Sequence, residues 1–588
     1  MKLLRLKLGV DFRSLASGFE VTFLREWDYD RRFEFQPYCL AGLNGSGKSN
    51  VLEAIAAIFY HIECIYLETR PPGFEYDSET NPKGFRAEKS DPDVFELEFF
   101  IPNTNSVSYS PRFEADRQSV FHIRISKRIH ERPLVHRLDS TPSGDIEETE
   151  LTRAEIKAFL PRHVLGYSSG HNEILSLPFL KMRFIHFDEY RDRLVRDLDY
   201  GGRPEGRMIY LDEQYSQAIL LCHFLFPSPA VTKVFEDKIG LKSIRRFRLI
   251  IRRLHLSLLE GPLQSPLLSS IPINDGRMIE LTGKLSGLID RLKRCATTYY
   301  EDDSPYEDGE SSDLYLDYWV DAETQKAFRH HFGEVAETEE LSNAASALGL
   351  FQSLQTLLTL NYFQVQDETK AELYRSDSLY LNETIPLPAS DKRITRFKHF
   401  EIQKDGVSST LYGKALSDGE HQMVHTIGLC LLFRHEPALF LLDEPETHLN
   451  PDWRASYIST LRAALEADEG TKNVMREVLL TSHSPFIISD CRAGNVLIFE
   501  KDKDTGLVDW HAPDFNTFGA SANAITMKVF GRKETIGDYA LDKLNGFRQQ
   551  LQDGVPEQVV VEAADRELGD SLEKVLFVNE ALKKSRGQ

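Results

Sequence analysis

The two halves of a nucleotide site lie at opposite ends of this 588-residue chain. Gly42–Ser49 reads GLNGSGKS, a full match to GxxxxGK[ST]. It follows the apolar run YCLA and opens the helical run KSNVLEAIAAIFYHIE, the strand–loop–helix context that such a loop requires. Gly42, Gly45 and Gly47 let backbone N–H groups turn inward around phosphate oxygens, and the helix start adds its positive dipole end. Asn44, Ser46 and Asn50 line the same turn. Lys48 is expected at the β- and γ-phosphates of ATP, and Ser49 at Mg²⁺. The other half comes much later, in ALFLLDE, where apolar residues precede Asp443 and Glu444. Adjacent carboxylates at the end of a buried strand are costly unless a cation or donors offset them. The loop Gly42–Ser49 supplies the phosphate and metal that would offset them. The sequence predicts an α/β head built from both chain ends, with the middle as an insertion.

Two further segments fit that head. LSDGEHQ, Leu416–Gln422, reads as a helix start, with Ser417 as N-cap and Glu420 completing a capping box. Ser417, Gly419 and Glu420 are expected to meet the γ-phosphate of ATP held by another copy of the chain, again at a helix N-terminus. LLTSHSP places His483 at the end of another apolar strand, 39 residues after Glu444. In this scheme Asp443 serves the metal, Glu444 is the general base, and His483 meets the γ-phosphate or the water.

Between these segments the pattern changes. Residues 1–200 read as the N-terminal part of the head, carrying strands MKLLRLKL, FEVTFL, DVFELEFFI, SVFHIRISKRI and HVLGYSS and a short helix TRAEIKAFL. Residues 201–395 read as a mostly helical insertion (QYSQAILLCHFLF, RMIELTGKLSGLIDRLKRCATTYY, ALGLFQSLQTLLTLNYF). It holds one basic strand with Arg245, Arg246, Arg248, Arg252 and Arg253. Its acidic run 299–313 reads as a solvated loop. Residues 396–588 return to the head and end in a strand pair and a charged helical tail. No repeat and no sustained heptad pattern occurs.

Composition narrows the setting. Net charge is −21, so any DNA or RNA contact needs a local basic face such as the arginine strand, or a partner. The six cysteines show no CxxC pair, which fits buried thiols in a reducing compartment. No run approaches the length of a membrane span, and the N-terminus alternates like a strand. A cytoplasmic protein with no membrane partner is expected.

The order phosphate loop, LSDGE, hydrophobic-DE, TSH resembles the ABC-type ATPase heads of SMC, RecF and OLD-family proteins, over about residues 1–65 and 410–490. FRS, Phe12–Ser14, resembles the turn in which an arginine approaches the nucleotide there, which makes Arg13 a candidate. DEPETHLNP resembles the form used by OLD and related defence ATPases. That likeness puts His448, Leu449 and Asn450 in the loop that speaks across the dimer. LGYSSGHNE, LPF and DEY are similar to restriction system-associated AAA-family ATPases of bacterial defence islands. TFGASANAITMKVFG resembles a tail segment of Septu-type defence ATPases and is expected to pack on the head. Asp418 stands where many transporters have glycine. The glutamine that contacts Mg²⁺ in this group has no clear counterpart, with His171 or Asn172 nearest in position.

The resemblance implies an ATPase that hydrolyses ATP at a head-to-head dimer interface. It would regulate a separate effector, such as a nuclease, in antiphage defence. Two other functions fit the same motifs: a RecF- or SMC-like repair ATPase that binds DNA directly, and a self-contained OLD-like nuclease. The second needs a Toprim domain, for which the residues after His483 are few, although Asp502 and Asp504 form a DKD there.

Overall fold

The computed structural model describes residues 1–67, 70–71, 73–102, 120–140, 146–169, 175–195, 206–253, 283–302, 312–365, 367–375, 389, 393–471, 474–532 and 534–585. Its centre is a seven-stranded sheet in the order Val508–His511, Val496–Lys501, Tyr38–Gly42, Glu477–Ser482, Ala438–Asp443, His163–Ser168, Met208–Tyr210. Every neighbouring pair is parallel except the Val496–Lys501 and Val508–His511 hairpin. The four strands from Tyr38–Gly42 to His163–Ser168 are buried at every residue. Such near-continuous apolar runs suit a parallel sheet covered on both faces.

Alternation along these strands feeds two cores. Leu40, Leu439, Leu441 and Leu479 point to the helix Lys48–Ile65 and a second sheet behind it. Cys39, Phe440, Leu442 and Leu480 point to the opposite layer, which includes the helices Asp418–Leu432, Pro451–Leu465 and Ser216–Leu225. The second sheet is antiparallel, in the order Glu20–Thr22, Lys2–Leu8, Phe95–Pro102, Val120–Lys127, Leu134–Ser140, Ile146–Glu150. Register aligns the carboxyl ends that matter here: Asp443 lies opposite Ser168, and Ser482 opposite Ala41. In open α/β sheets that edge is where ligands bind. The fold is the expected α/β P-loop ATPase, split by an insertion.

The insertion carries helices and also a five-stranded antiparallel sheet, ordered Thr298–Asp302, Ser312–Trp319, Leu241–Arg253, Thr395–Lys404, Leu411–Tyr412. The basic strand is therefore central in a sheet. Two expectations change here. RMIELTGKLSGLIDRLKRCATTYY does not stay helical to its end: the helix is Gly283–Cys295, and Thr298–Asp302 is a strand. The acidic run is likewise strand at Tyr299–Asp302 and from Ser312 on, while 303–311 lie outside the described residues. Tyr300 stacks on Tyr315 across that pair, with ring centroids 4.5 Å apart, so cross-strand aromatic packing outweighs the local acidity. The sheets also run past the borders at 200 and 395. Met208–Tyr210 extends the head sheet, and Thr395–Lys404 pairs with Leu241–Arg253.

The segment 517–531 packs on the head through Ile525 and Val529. Beyond it, the helices Asp538–Gln552, Glu557–Glu567 and Leu572–Ser585 share a small core of their own around Leu544, Phe547, Val560 and Phe577. All six cysteines are free and buried. Among the described residues no helix is long and apolar enough to cross a membrane.

Candidate nucleotide site

The strand Tyr38–Gly42 delivers the chain into a loop with Gly42, Gly45 and Gly47 at φ of +146°, +75° and +83°. Gly42 and Gly47 also have no room for a side chain. A Cβ would lie 2.3 Å from the Phe499 carbonyl oxygen at Gly42 and 2.7 Å from Ser14 Oγ at Gly47. Gly47 is the N-cap of Lys48–Ile65 and supplies no capping side chain, so the helix start is open to a ligand. Ser46 Oγ is buried with no hydrogen-bond partner among the described residues, while Asn44 is exposed at the tip. An anion with several acceptor oxygens fits this cradle.

Lys48 Nζ donates to the carbonyls of Gly42 (3.1 Å) and Leu43 (3.0 Å) and lies 3.1 Å from His483 Nε2. Burial pushes its ammonium down to about 8, against the opposing pull of Glu444 and Asp443. Ser49 Oγ donates to Asp443 Oδ1 at 2.6 Å, and Thr481 Oγ1 donates to the same oxygen at 2.7 Å. Ser168 Oγ reaches Asp443 Oδ2 at 3.3 Å. A hydroxyl and a carboxylate held this close are hard oxygen donors of the kind Mg²⁺ takes, so Ser49 and Asp443 fit the ion.

Glu444 Oε1 lies 2.9 Å from His483 Nε2, and that hydrogen bond is the main reason its carboxyl sits below the usual range. When Nε2 carries the proton it donates to Glu444, and Lys48 then relies on its two carbonyls. Glu444 has φ +46°, a left-handed posture that a non-glycine residue holds only under constraint. Thr481 provides one constraint, accepting from the Glu444 backbone N–H at 2.9 Å. Glu444, His483, Lys48, Ser49 and Asp443 thus meet at one sheet edge.

Glu446 lies beneath them, buried, with Ser482 Oγ donating to its Oε1. Burial pushes its carboxyl up to about 7, from 4.5. Because the folded value is the raised one, the stabilisation it brings is complete below pH 4.5 and lost as pH rises through about 7. Glu446→Gln does not titrate. Its thermal stability in the absence of nucleotide should gain on the wild type between pH 5 and pH 8, by about 2 kcal/mol. Melting curves at the two pH values check this, and a constant gap would refute it.

Ser417 caps the helix Asp418–Leu432 in a full capping box with Glu420, and Lys404 pairs with the Glu420 carboxylate. Ser417 and Asp418 are exposed, whereas Gly419 is buried against the loop after Glu444. A Cβ on Gly419 would lie 2.8 Å from the His448 carbonyl oxygen. Asn450 caps the next helix, accepting from the Trp453 N–H at 2.9 Å, and Leu449 is buried.

A family model described as "AAA domain, putative AbiEii toxin, Type IV TA system" (AAA_21) matches residues 38–163 and 338–489. Over these two segments the chain is similar to an AAA_21 ATPase domain. The first matched segment holds the phosphate loop, and the second holds Ser417, Asp443, Glu444 and His483. Protein ea59 of Escherichia phage lambda is 25% identical over 153 residues, which are 26% of this chain and 26% of that protein. The alignment thus spans about a quarter of that relative. Among solved structures, "Structure of the recombination mediator protein RecF-ATPrS in RecFOR pathway" covers 87% of this chain and 98% of its own at 13% identity. Its TM-score of 0.28 carries no argument.

Around the nucleotide site the remaining candidates separate. Arg13, at φ +54°, pairs with Glu53 at 2.8 Å and Asp91 at 3.1 Å, on the flank of the phosphate-loop helix. Its neighbour Ser14 donates to Asn50 Oδ1 at 2.7 Å, which ties the Phe12–Ser14 turn to the loop. On the basic strand, Arg248 meets Asp317 through two nitrogens (2.6 and 2.7 Å), and Arg246 pairs with Glu401 at 2.5 Å. Arg252 lies 3.6 Å from Asp313, and Arg245 donates to Thr410. The Arg253 side chain, His171 and Asn172 lie outside the described residues. Asp502 forms a turn, accepting from the N–H groups of Asp504 and Thr505. Among the described residues no group of three or more His, Cys, Asp or Glu is arranged for a metal.

Sequence reasoning passed over Thr481, Ser168, Glu446 and Gln422. Thr481 stands in the TSH motif itself and could have been read as a partner for Asp443. Gln422 carries no local signal, because its partners lie 22 and 26 residues further on.

Proposed function

We propose that this chain hydrolyses ATP between two copies of itself. One copy grips the triphosphate with the Gly42–Ser49 loop, Lys48 and Ser49, and the other closes over the γ-phosphate with Ser417 and Gly419. Mg²⁺, when bound at Ser49 and Asp443, supplies positive charge toward the β- and γ-phosphates. Lys48 neutralises the same oxygens. Glu444 takes a proton from the attacking water, and His483 orients the Glu444 carboxylate through the 2.9 Å contact. Hydrolysis then opens or rearranges the pair. The biological setting we infer is antiphage defence, with the ATPase governing a separate effector such as a nuclease. The family description supports that reading by naming a toxin system.

The observation that carries the composite pocket is the division of the site. The catalytic groups converge on one sheet edge, whereas Ser417 is spent on its own helix cap and sits exposed to solvent. A helix N-terminus exposed on its outer side can meet an anion brought by another molecule, once that anion replaces the Ser417–Glu420 capping contacts.

Mixing two inactive variants tests this. Lys48→Met and Ser417→Arg should each lose turnover alone. A symmetric pair has two equivalent pockets, so random mixing restores up to roughly a quarter of wild-type activity, through mixed pairs with one intact pocket. A Ser417→Arg protein that keeps full turnover would refute the shared pocket.

A further inference from the structure

The helix that begins at Ser417 does more than present its N-terminus. Gln422, on its second turn, is 2% exposed. Its Oε1 accepts from the His448 backbone N–H at 2.9 Å, and its Nε2 reaches the Glu444 carbonyl oxygen at 3.4 Å. One side chain therefore touches both ends of the turn Glu444–His448. Gly419, on the same helix, faces the carbonyl oxygen of His448, where a Cβ would sit only 2.8 Å away. The His448 residue is thus hydrogen-bonded to this helix at its N–H and packed closely against it at its C=O.

That turn contains the strained residue. Glu444 stands at φ +46°. Its N–H is fixed by Thr481 on the neighbouring strand at 2.9 Å. Its carbonyl accepts from Thr447 Oγ1 at 3.0 Å as well as from Gln422. Thr447 belongs to the same turn and moves with it, so among the described residues Gln422 is the hold on this carbonyl from outside the turn, while Arg454 holds the carbonyls of Glu446 and Thr447. An unfavourable backbone posture persists only while its surroundings over-determine it.

We propose that Gln422 is a positioning residue for Glu444, and that it couples the two nucleotide pockets of a pair. This rests on the composite pocket above. Ser417 meets the nucleotide of the opposing copy, and Gln422, five residues on along one rigid helix, holds the base of its own copy. Seating of a nucleotide in one pocket shifts this helix and, through Gln422, sets Glu444 for the other. Two discrete sites and a shared mechanical element are what a coupling between sites requires.

The test compares Gln422→Met and Gln422→Glu with the wild type, in full-length protein with ATP and Mg²⁺. Methionine keeps the buried volume and removes both hydrogen bonds to the turn, together with the one to Tyr167. Glutamate keeps the acceptor for the His448 N–H and loses the donor toward Glu444. Turnover in Gln422→Met should fall by about 10- to 100-fold, the scale of a small misplacement of a catalytic group. ATP affinity, read with a fluorescent ATP analogue, should stay within about twofold, because the phosphate loop is untouched. The Hill coefficient should drop to one, and Gln422→Glu should fall between. Wild-type turnover and cooperativity in Gln422→Met would overturn the proposal. So would parallel losses of turnover, nucleotide affinity and melting temperature, which would mark Gln422 as packing alone. A wild type with a Hill coefficient of one and undiminished turnover on dilution would overturn the composite pocket first, and this linkage with it.

Discussion

Glu444→Gln should cut ATP turnover by about 10²- to 10⁴-fold, the range general base catalysis supplies, while ATP binding survives. The amide keeps the size of the side chain and can still meet His483, but it cannot take a proton from water. Nothing in the phosphate cradle changes, since Lys48 is held by the carbonyls of Gly42 and Leu43 and Asp443 by Ser49 and Thr481. The carboxyl of Glu444 already lies below its ordinary range, chiefly through His483, so it is ionised at neutral pH and ready to act as base. Steady-state turnover beside binding of a fluorescent ATP analogue reads both halves of the expectation. Turnover that is unchanged in the variant would remove Glu444 from the chemistry. A variant that also fails to bind would assign it to the nucleotide cradle.

Lys48→Met should do the reverse and weaken ATP binding itself, by about 10- to 100-fold, the worth of about 1.5–3 kcal/mol for a lost charged hydrogen bond. The pH dependence gives a sharper signature. The buried ammonium titrates at about 8 in the free protein, and a bound triphosphate favours its charged form. Wild-type affinity should therefore decline as pH rises through about 8, where the free protein gives up the proton that the complex keeps. The methionine variant has no such proton, and its weak affinity should be flat over the same interval. Equal slopes in the two proteins would show that another group carries the effect.

The phosphate loop, the Asp443–Glu444 strand and the His483 strand were legible because each is a local pattern: an apolar run that ends in polar residues. The burial of every residue in Tyr38–Gly42, Ala438–Asp443 and Glu477–Ser482 is the physical content of those runs. The capping box at Ser417 was legible for the same reason, since it closes within three residues. What escaped is what depends on partners far along the chain. Ser168 meets Asp443 across 275 positions, and no pattern near either residue announces it. Tyr299–Asp302 read as solvated loop because its neighbours are acidic. Its pairing with Ser312–Trp319 and the Tyr300–Tyr315 stack decide the matter instead. The arginine strand was legible as a strand, but its carboxylate partners on Ser312–Trp319 and Thr395–Lys404 were not.

The strand that leads into the phosphate loop has a consequence for how the molecule is made. Tyr38–Gly42 finds its sheet neighbours in Glu477–Ser482 and Val496–Lys501, and in nothing nearer. On a ribosome that adds about 5–20 residues per second, this segment waits roughly 20 to 90 seconds for its first neighbour to be synthesised. Throughout that wait a fully apolar strand has both edges open, which is the state in which nascent chains aggregate or recruit a chaperone. The head cannot be assembled piecemeal from its amino end, and a chain interrupted before residue 477 leaves the ATP-gripping loop without the sheet that holds it in shape.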